Sequence, residues 1–196
     1  MRLYYSPASP FARKCRILIR EKGMLASVEE VRADPIKGDD ALAAANPLMQ
    51  VPALIDDEGV AWTDSPLICE RLDAQGGAPR FLPEGEARWE VLRREVIADG
   101  AMELGVKSRL EQLRPEGERS QRWIERWREG MLRSLDAAEA CTPVGAPLDL
   151  GAVASVCALT WFDLRHPDLD WRSGRPRLTA LQAALEQRQS FRETAP

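Results

Sequence analysis

Residues 46–72 read NPLMQVPALIDDEGVAWTDSPLICERL, and the order of elements within this stretch indicates the fold class. The segments 51–55 and 60–62 are apolar and are separated by turn-forming residues, so they predict a β-hairpin. Ser65 has a residue type preferred at a helix N-cap, and it precedes a helix predicted over 66–74 that starts with proline. A hairpin followed at once by a capped helix indicates an α/β domain.

The residues before this stretch alternate between strand and helix patterns. The predicted elements are a strand at 3–5, a helix at 11–22, a strand at 28–32 and a helix at 39–45. Gly23 closes the first helix, and Asn46-Pro47 stops the second. The element order over residues 1–75 is therefore β-α-β-α-β-β-α, and we assign these residues to one domain.

Residues 76–85 are rich in glycine and proline and predict a linker, and residues 86–196 predict an all-helical second domain. Large apolar residues recur there at three- and four-residue steps, which is typical of the core seams of a helix bundle. They are Trp89, Leu92, Val96, Met102, Val106, Leu110, Trp123, Trp127, Met131 and Leu135. A helix over 149–165 is apolar nearly all round and is predicted to be the central one. A last amphipathic helix is predicted over 177–189.

Composition excludes several classes of function. The net charge is −4 and neither half has a basic excess, which argues against a nucleic-acid partner. No apolar run approaches the roughly 18 residues of a membrane span, and no signal peptide is recognisable, so we expect a cytoplasmic protein. The four cysteines form no CxxC pair and there is a single histidine, so we expect no metal site and no disulfide framework.

Three local features have a structural interpretation. His166 precedes a proline at a predicted helix end and is interpreted as a helix-terminal residue in preference to a catalytic one. Cys15 is expected to face inward. The basic residues Arg13, Lys14, Arg16 and Arg20 follow one helix and are interpreted as its solvated face.

Ser9 stands just before Pro10 at the start of the first helix. From local chemistry it is a helix N-cap, because its hydroxyl can accept from an amide of the first turn. The alternative is that the hydroxyl and the helix N-terminus face an anionic ligand. No histidine base lies near in sequence, so Ser9 is better suited to donating a hydrogen bond to a thiolate than to acting as a nucleophile.

Two further sites have residue types that suit a peptide ligand. Pro52 opens an apolar strand, where a cis bond would expose the backbone N–H and C=O of Val51, although an edge-strand proline is an equal alternative. Ser65 caps a helix, and the neighbouring Asp64 adds a carboxylate. Together they can hold a zwitterionic amino-acid end, since the helix N-terminus binds a carboxylate and Asp64 an ammonium group.

The segments SPFARK (9–14), NPLMQVPAL (46–54) and DSPLICERL (64–72), with the helical remainder, resemble the glutathione S-transferase family of the bacterial, serine-containing type. The resemblance implies a thioredoxin-like N-terminal domain and a helical C-terminal domain. It implies that glutathione contacts Ser9, Phe11, Gln50, Val51, Pro52, Asp64 and Ser65. It places the electrophile against Phe11, Met102, Glu103 and Val106, between the two domains.

In this resemblance Ser9 stabilises the glutathione thiolate, Val51 pairs with the cysteinyl backbone, and Asp64 and Ser65 hold the γ-glutamyl group. The resemblance implies a homodimeric transferase acting in detoxification, with glutathione as co-substrate and no permanently bound cofactor. Isomerase, dehalogenase and peroxidase chemistry use the same thiolate and stay open. The alternative is a non-catalytic relative that binds a partner or regulates a stress response. Asp149 can cap the central helix, but Ala152 stands where the family's capping box has an acidic partner.

Overall fold

The computed structural model describes residues 1–145 and 148–196, which fold into two units. The first unit comprises residues 1–84 together with 187–196, and the second comprises residues 85–186. This division differs from the predicted one, because the last ten residues belong to the first unit and the predicted linker does so as far as residue 84. Among the described residues, no helix has the length and apolar character needed to cross a membrane.

The first unit is an α/β domain with a four-stranded mixed sheet, which confirms the predicted fold class and element order. Its strands are β1 Arg2–Tyr5, β2 Glu29–Arg32, β3 Ala53–Ile55 and β4 Ala61–Trp62. Its helices are α1 Pro10–Glu21, α2 Asp40–Ala45, α3 Ser65–Gln75 and, at the end of the chain, α8 Gln189–Glu193. The strand order is β2-β1-β3-β4, with β1 parallel to β2 and antiparallel to β3, and β3 antiparallel to β4.

The core lies on both faces of this sheet because its side chains alternate along each strand. Tyr4 and its partner Ala53 are buried in a cluster with Leu42 of α2. Leu3 and its partner Leu54 are also completely buried, and they lie on the opposite face. The short alternating strands therefore position the loops that follow β1 and β4 and the loop that precedes β3.

The basic residues of α1 contradict the prediction of a solvated face. Lys14 is fully buried, and Arg13 and Arg16 are nearly so. Arg13 Nη2 donates to the carbonyl of Phe191 at 3.0 Å, and Arg16 donates to Glu30 at 3.2 Å. Long basic side chains can be buried when acceptors cover their charged ends, and here the acceptors come from β2 and the C-terminal segment, which a helical pattern alone does not indicate.

The predicted linker is instead packed against α3. Phe81 and Leu82 are buried, and their backbone N–H groups donate to the Asp73 carboxylate at 2.9 and 3.0 Å. Lys22 Nζ and Arg80 Nε donate to the same carboxylate, each at 3.1 Å. Burial by itself would raise the pKa of Asp73, but these four donors outweigh it and hold the pKa below its ordinary value.

The second unit is helical, as predicted. Its helices are α4 Glu86–Gln112, α5 Gln121–Cys141, α6 Leu150–Arg165 and α7 Pro176–Leu185, with a 3₁₀ turn at Glu116–Glu118. Helix α6 is buried along nearly its whole length, which confirms it as the central helix. The last predicted helix, over 177–189, is wrong in extent, because α7 ends at Leu185 and α8 is separate.

The predicted seam along α4 is wrong in part. Trp89 and Val96 are 61% and 67% exposed, whereas the small residues Ala98 and Ala101 are buried. At Gly105 an added Cβ would lie 2.7 Å from the Trp161 ring, so α6 packs directly against the α4 backbone there. A pattern built on large apolar residues misses a face on which small residues allow close helix packing.

The N-terminus of α6 is held by Asp149, which accepts from Ala152 N at 2.9 Å and so acts as the predicted cap. Arg94 of α4 adds a bidentate ion pair to the same carboxylate at 2.7 and 3.1 Å. Any Cβ at Gly151 would lie 2.9 Å from Arg94 Cβ. Although the acidic partner of a capping box is missing, a cation from another helix secures this N-cap.

His166 is the C-cap of α6, in agreement with its predicted helix-terminal role. It is buried, and its Nε2–H donates to the Gly105 carbonyl at 3.0 Å. Burial lowers the pKa of His166 below its ordinary value and so favours the neutral form of the ring.

Candidate functional site

The antiparallel strand pairings bring three of the predicted motifs to one end of the sheet. Tyr4, near the end of β1, pairs with Ala53 at the start of β3, and Leu54 pairs with Trp62 at the end of β4. The loop after β1, the residues before β3 and the residues after β4 therefore emerge together. We call this end of the sheet the site edge, and it carries Ser9, Val51 and Asp64 with their sequence neighbours.

Two helix N-termini lie side by side at the site edge. Cys15 Sγ is 3.9 Å from the Phe11 carbonyl in the first turn of α1 and 3.9 Å from the Ser65 carbonyl in the first turn of α3. Cys15 is fully buried, as predicted, and its Sγ lies 3.7 Å from that of Cys69. The positive ends of the two helix dipoles make this edge favourable for negative charge.

Ser9 is the N-cap of α1, as local chemistry predicted. Its Oγ accepts from Ala12 N at 3.2 Å, and its side chain is half-buried. A serine hydroxyl that accepts one hydrogen bond still has its own O–H to donate. The cap and the ligand interpretations of Ser9 are therefore chemically compatible. Phe11 lies two residues further on and is half-buried.

The loop before β3 carries Gln50, Val51 and Pro52. Gln50 is exposed, Val51 is half-buried and Pro52 is buried, and the Val51–Pro52 bond is cis. The residue pairing of β1 with β3 begins only at Ala53, so Val51 lies just beyond the paired part of the sheet.

Asn46 shapes this loop, and sequence reasoning treated it only as the residue that stops α2. Its side chain donates to the Gln50 carbonyl at 2.8 Å and accepts from Leu48 N at 3.0 Å. The signal was present in the sequence, because an asparagine before a proline is a turn former whose amide can bond nearby backbone groups.

The start of α3 corrects one prediction. Asp64, not Ser65, is the N-cap, because the Asp64 carboxylate accepts from Ser65 N and Ser65 is the first helical residue. Asp64 is exposed and Ser65 is fully buried. Within the described parts of the chain, the Ser65 hydroxyl has no hydrogen-bond partner. A buried hydroxyl without a partner is costly, which points to a ligand group that supplies one.

A polar cluster holds α3 against the hairpin that precedes it. Asp56 accepts from Val60 N at 2.8 Å, from Trp62 Nε1 at 2.7 Å and from Arg71 Nη2 at 2.7 Å. The Arg71 guanidinium also stacks on the Trp62 ring at 4.1 Å. Because Trp62 ends β4 and Arg71 belongs to α3, these contacts join α3 to the hairpin.

The other predicted site residues lie in the second unit. Met102 is fully buried and packs in the core, Glu103 is exposed and pairs with Lys107 at 3.3 Å, and Val106 is half-buried. Their predicted place at an electrophile site stays a prediction, and the complete burial of Met102 makes it the weakest of the three.

Family models match most of the chain. The glutathione S-transferase N-terminal domain matches residues 3–80, and the glutathione S-transferase C-terminal domain matches residues 121–181. An Escherichia coli protein described as an uncharacterized GST-like protein, YibF, is 36% identical over 100% of this chain and 98% of its own length.

Solved structures agree with these matches. A glutathione transferase family member from Pseudomonas fluorescens Pf-5, with bound glutathione, is 35% identical with a TM-score of 0.93 over 100% of this chain and 98% of that one. A glutathione S-transferase from Methylobacillus flagellatus KT, also with glutathione bound, is 32% identical with a TM-score of 0.91 over the same shares of the two chains.

Proposed function

Because the chain belongs to the glutathione S-transferase family, we propose that it binds glutathione at the site edge and directs the glutathione thiolate at a small electrophile. The observation that carries this proposal is the Ser9 hydroxyl, which caps α1 and still has a hydrogen to donate. Donation to the sulfur, next to the N-terminus of α1, favours the thiolate over the thiol.

The rest of glutathione has suitable partners at the same edge. The buried Ser65 hydroxyl and the N-terminus of α3 suit the carboxylate of the γ-glutamyl group, and the exposed Asp64 carboxylate suits its ammonium group. The Val51 N–H suits the carbonyl of the cysteinyl residue. Gln50 and Pro52 complete this side of the site, and Phe11 borders the reacting sulfur.

The mechanism is thiolate activation and positioning. A free thiol with a pKa of about 8.5 is only about 3% ionised at pH 7. A hydroxyl donor and a helix N-terminus lower this pKa by about one to two units, so that roughly a quarter to three quarters of the bound thiol is ionised at pH 7. The thiolate then attacks the electrophilic atom, its electron pair forms the new bond, and the leaving group departs with the displaced pair.

Binding to immobilised glutathione, followed by turnover with a nitroaryl chloride, tests the proposal. Wild-type protein should be retained and should conjugate the chloride. Ser65→Ala should lose retention without losing thermal stability, because the deleted hydroxyl is buried and has no partner among the described residues.

The matched control is Ser120→Ala. Ser120 is a second serine at a helix N-terminus, as the N-cap of α5, and its side chain makes no cap hydrogen bond, so Ser120→Ala should leave retention unchanged. A wild-type protein that is not retained would contradict the proposal and support a non-catalytic, partner-binding relative. Retention without turnover would limit the proposal to glutathione binding.

We also propose a homodimer. Trp89 and Val96 present large apolar surfaces on α4 that the described residues leave exposed, and exposed apolar patches commonly mark interfaces. Light scattering should give about twice the chain mass of 21.9 kDa, and Val96→Glu should shift the mass towards that of one chain. A wild-type protein with the mass of a single chain would show that this face is not a dimer interface.

A further inference from the structure

The loop between α2 and β3 is organised by one buried side chain, that of Asn46, which is 2% exposed. The carboxamide oxygen accepts from Leu48 N at 3.0 Å, and the amide nitrogen donates to the Gln50 carbonyl at 2.8 Å. The Asn46 carbonyl accepts from Met49 N at 2.9 Å. Three hydrogen bonds from a single residue therefore determine the path of the chain into β3.

This loop contains an unfavourable backbone conformation at Met49. Met49 has a φ of 56°, in the left-handed region that residues other than glycine disfavour. The Asn46 bonds lie on both sides of Met49, to Leu48 N and to the Gln50 carbonyl. These two bonds, together with the packing of Met49 against the core cluster that contains Leu42, hold the chain in this conformation.

The bond to Gln50 acts on Val51 through a rigid group. The Gln50 carbonyl and the Val51 N–H belong to the same peptide unit, and this peptide bond is trans. In a planar trans peptide the C=O and N–H point in opposite directions. Holding the Gln50 oxygen against Asn46 therefore fixes the direction of the Val51 N–H, away from Asn46.

We propose that Asn46 is a positioning residue for glutathione: through the Gln50–Val51 peptide it aims the Val51 N–H at the cysteinyl carbonyl of the ligand. This inference rests on the proposed function, in which Val51 is the donor to that carbonyl. The hydrogen bond from Asn46 also polarises the peptide and strengthens the N–H as a donor. Asn46 itself does not touch the ligand.

Two substitutions remove the hydrogen bond that the Asn46 side chain donates to the Gln50 carbonyl. Asn46→Asp keeps an acceptor for Leu48 N and replaces the donor to Gln50 with a second oxygen. In Asn46→Ser the side chain is neutral but too short to donate to the Gln50 carbonyl. If the buried carboxylate of Asn46→Asp prevents folding, Asn46→Ser provides the test. The control is Asp170→Ser, which removes an exposed turn-holding side chain that accepts from Ser173 N in the second unit.

Calorimetric titration with reduced glutathione should show a Kd raised about fivefold to tenfold in Asn46→Ser and at least as much in Asn46→Asp, the loss expected for one hydrogen bond. Asp170→Ser should match wild type. In amide NMR spectra, the downfield shift of the Val51 N–H on glutathione binding should shrink in both Asn46 variants. The change in the Ser65 N–H chemical shift on glutathione binding and the thiol pKa of bound glutathione should both stay as in wild type. A general loss of structure would alter both.

The outcomes distinguish this inference from the proposed function. Wild-type protein that does not bind glutathione would overturn the proposed function and this inference with it. Wild-type binding with an unchanged Kd and Val51 shift in a folded Asn46 variant would overturn the inference alone. Equal loss of the Val51 and Ser65 shifts would also overturn it, because Asn46 would then only support the fold.

Discussion

Ser9→Ala is expected to raise the thiol pKa of bound glutathione by about one unit or more, since the variant removes the O–H that stabilises the thiolate. One unit corresponds to about 1.4 kcal/mol of preference for the thiolate. At pH 7 the thiolate fraction, and with it kcat/KM for a nitroaryl chloride, should fall by up to about tenfold for each unit by which the pKa rises. Ultraviolet absorbance of the thiolate, titrated against pH in the complex, measures the pKa directly.

The helix cap has to be separated from the thiol contact, because Ser9 also accepts from Ala12 N. Ser9→Asp keeps an acceptor for the cap and places a carboxylate near the sulfur, so it should retain stability and raise the thiol pKa further. Ser6→Ala in the same loop should leave the titration unchanged, since Ser6 contributes its backbone carbonyl to Ser9 N. A titration that is the same in Ser9→Ala and wild type would remove Ser9 from thiol activation.

Asp73→Asn is expected to destabilise the protein by about 3–5 kcal/mol, the usual effect of removing one partner of a buried ion pair. The variant leaves the ammonium of Lys22 buried without its counter-charge and turns a donor towards the other donors around position 73. Urea unfolding should show a midpoint lower by about 1 M or more. The control Glu129→Gln breaks an exposed pair with Arg133 and should leave the midpoint nearly unchanged.

The same carboxylate predicts a pH dependence. Its pKa is held below the ordinary value in the folded protein, so the unfolded chain binds the proton more tightly. The stability that Asp73 contributes is therefore present above the unfolded pKa of about 3.9 and is lost as the pH falls through the lower folded pKa. The difference in unfolding free energy between wild type and Asp73→Asn should be constant near neutral pH and shrink below about pH 4. A difference that does not change in acid would contradict this assignment.

Local pattern was sufficient for the motifs that depend on a few consecutive residues. The Ser9 cap, the hairpin turn that begins at Asp56 and the buried helix α6 are present as predicted. Each depends on the chemistry of neighbouring side chains and amides, which the sequence displays directly. The predicted start of α3 differs from the observed start by one residue. Asp64 and Ser65 are both good cap residues, and only the backbone conformation distinguishes them.

Residue periodicity predicted burial incorrectly where burial depends on distant parts of the chain. Arg13 and Lys14 look like a solvated face, but both are buried, and the carbonyl and ring of Phe191 from the end of the chain cover the Arg13 guanidinium. Trp89 looks like a core residue, and it is exposed because α4 packs through its small residues instead. Residues 187–196 read as the end of a helical domain, yet they belong to the first unit.

Turns, caps and apolar periodicity are local properties, so the order of the predicted elements and the chemistry of Ser9, Val51, Asp64 and Ser65 follow from the amino-acid sequence. That these residues share one end of a sheet follows from the antiparallel pairing of β3 with β1 and β4, which is seen in the folded protein alone. The same is true of the Ser65 hydroxyl, which is buried without a partner among the described residues. Strand direction and burial come from contacts between residues far apart in the chain, which no short stretch of sequence contains.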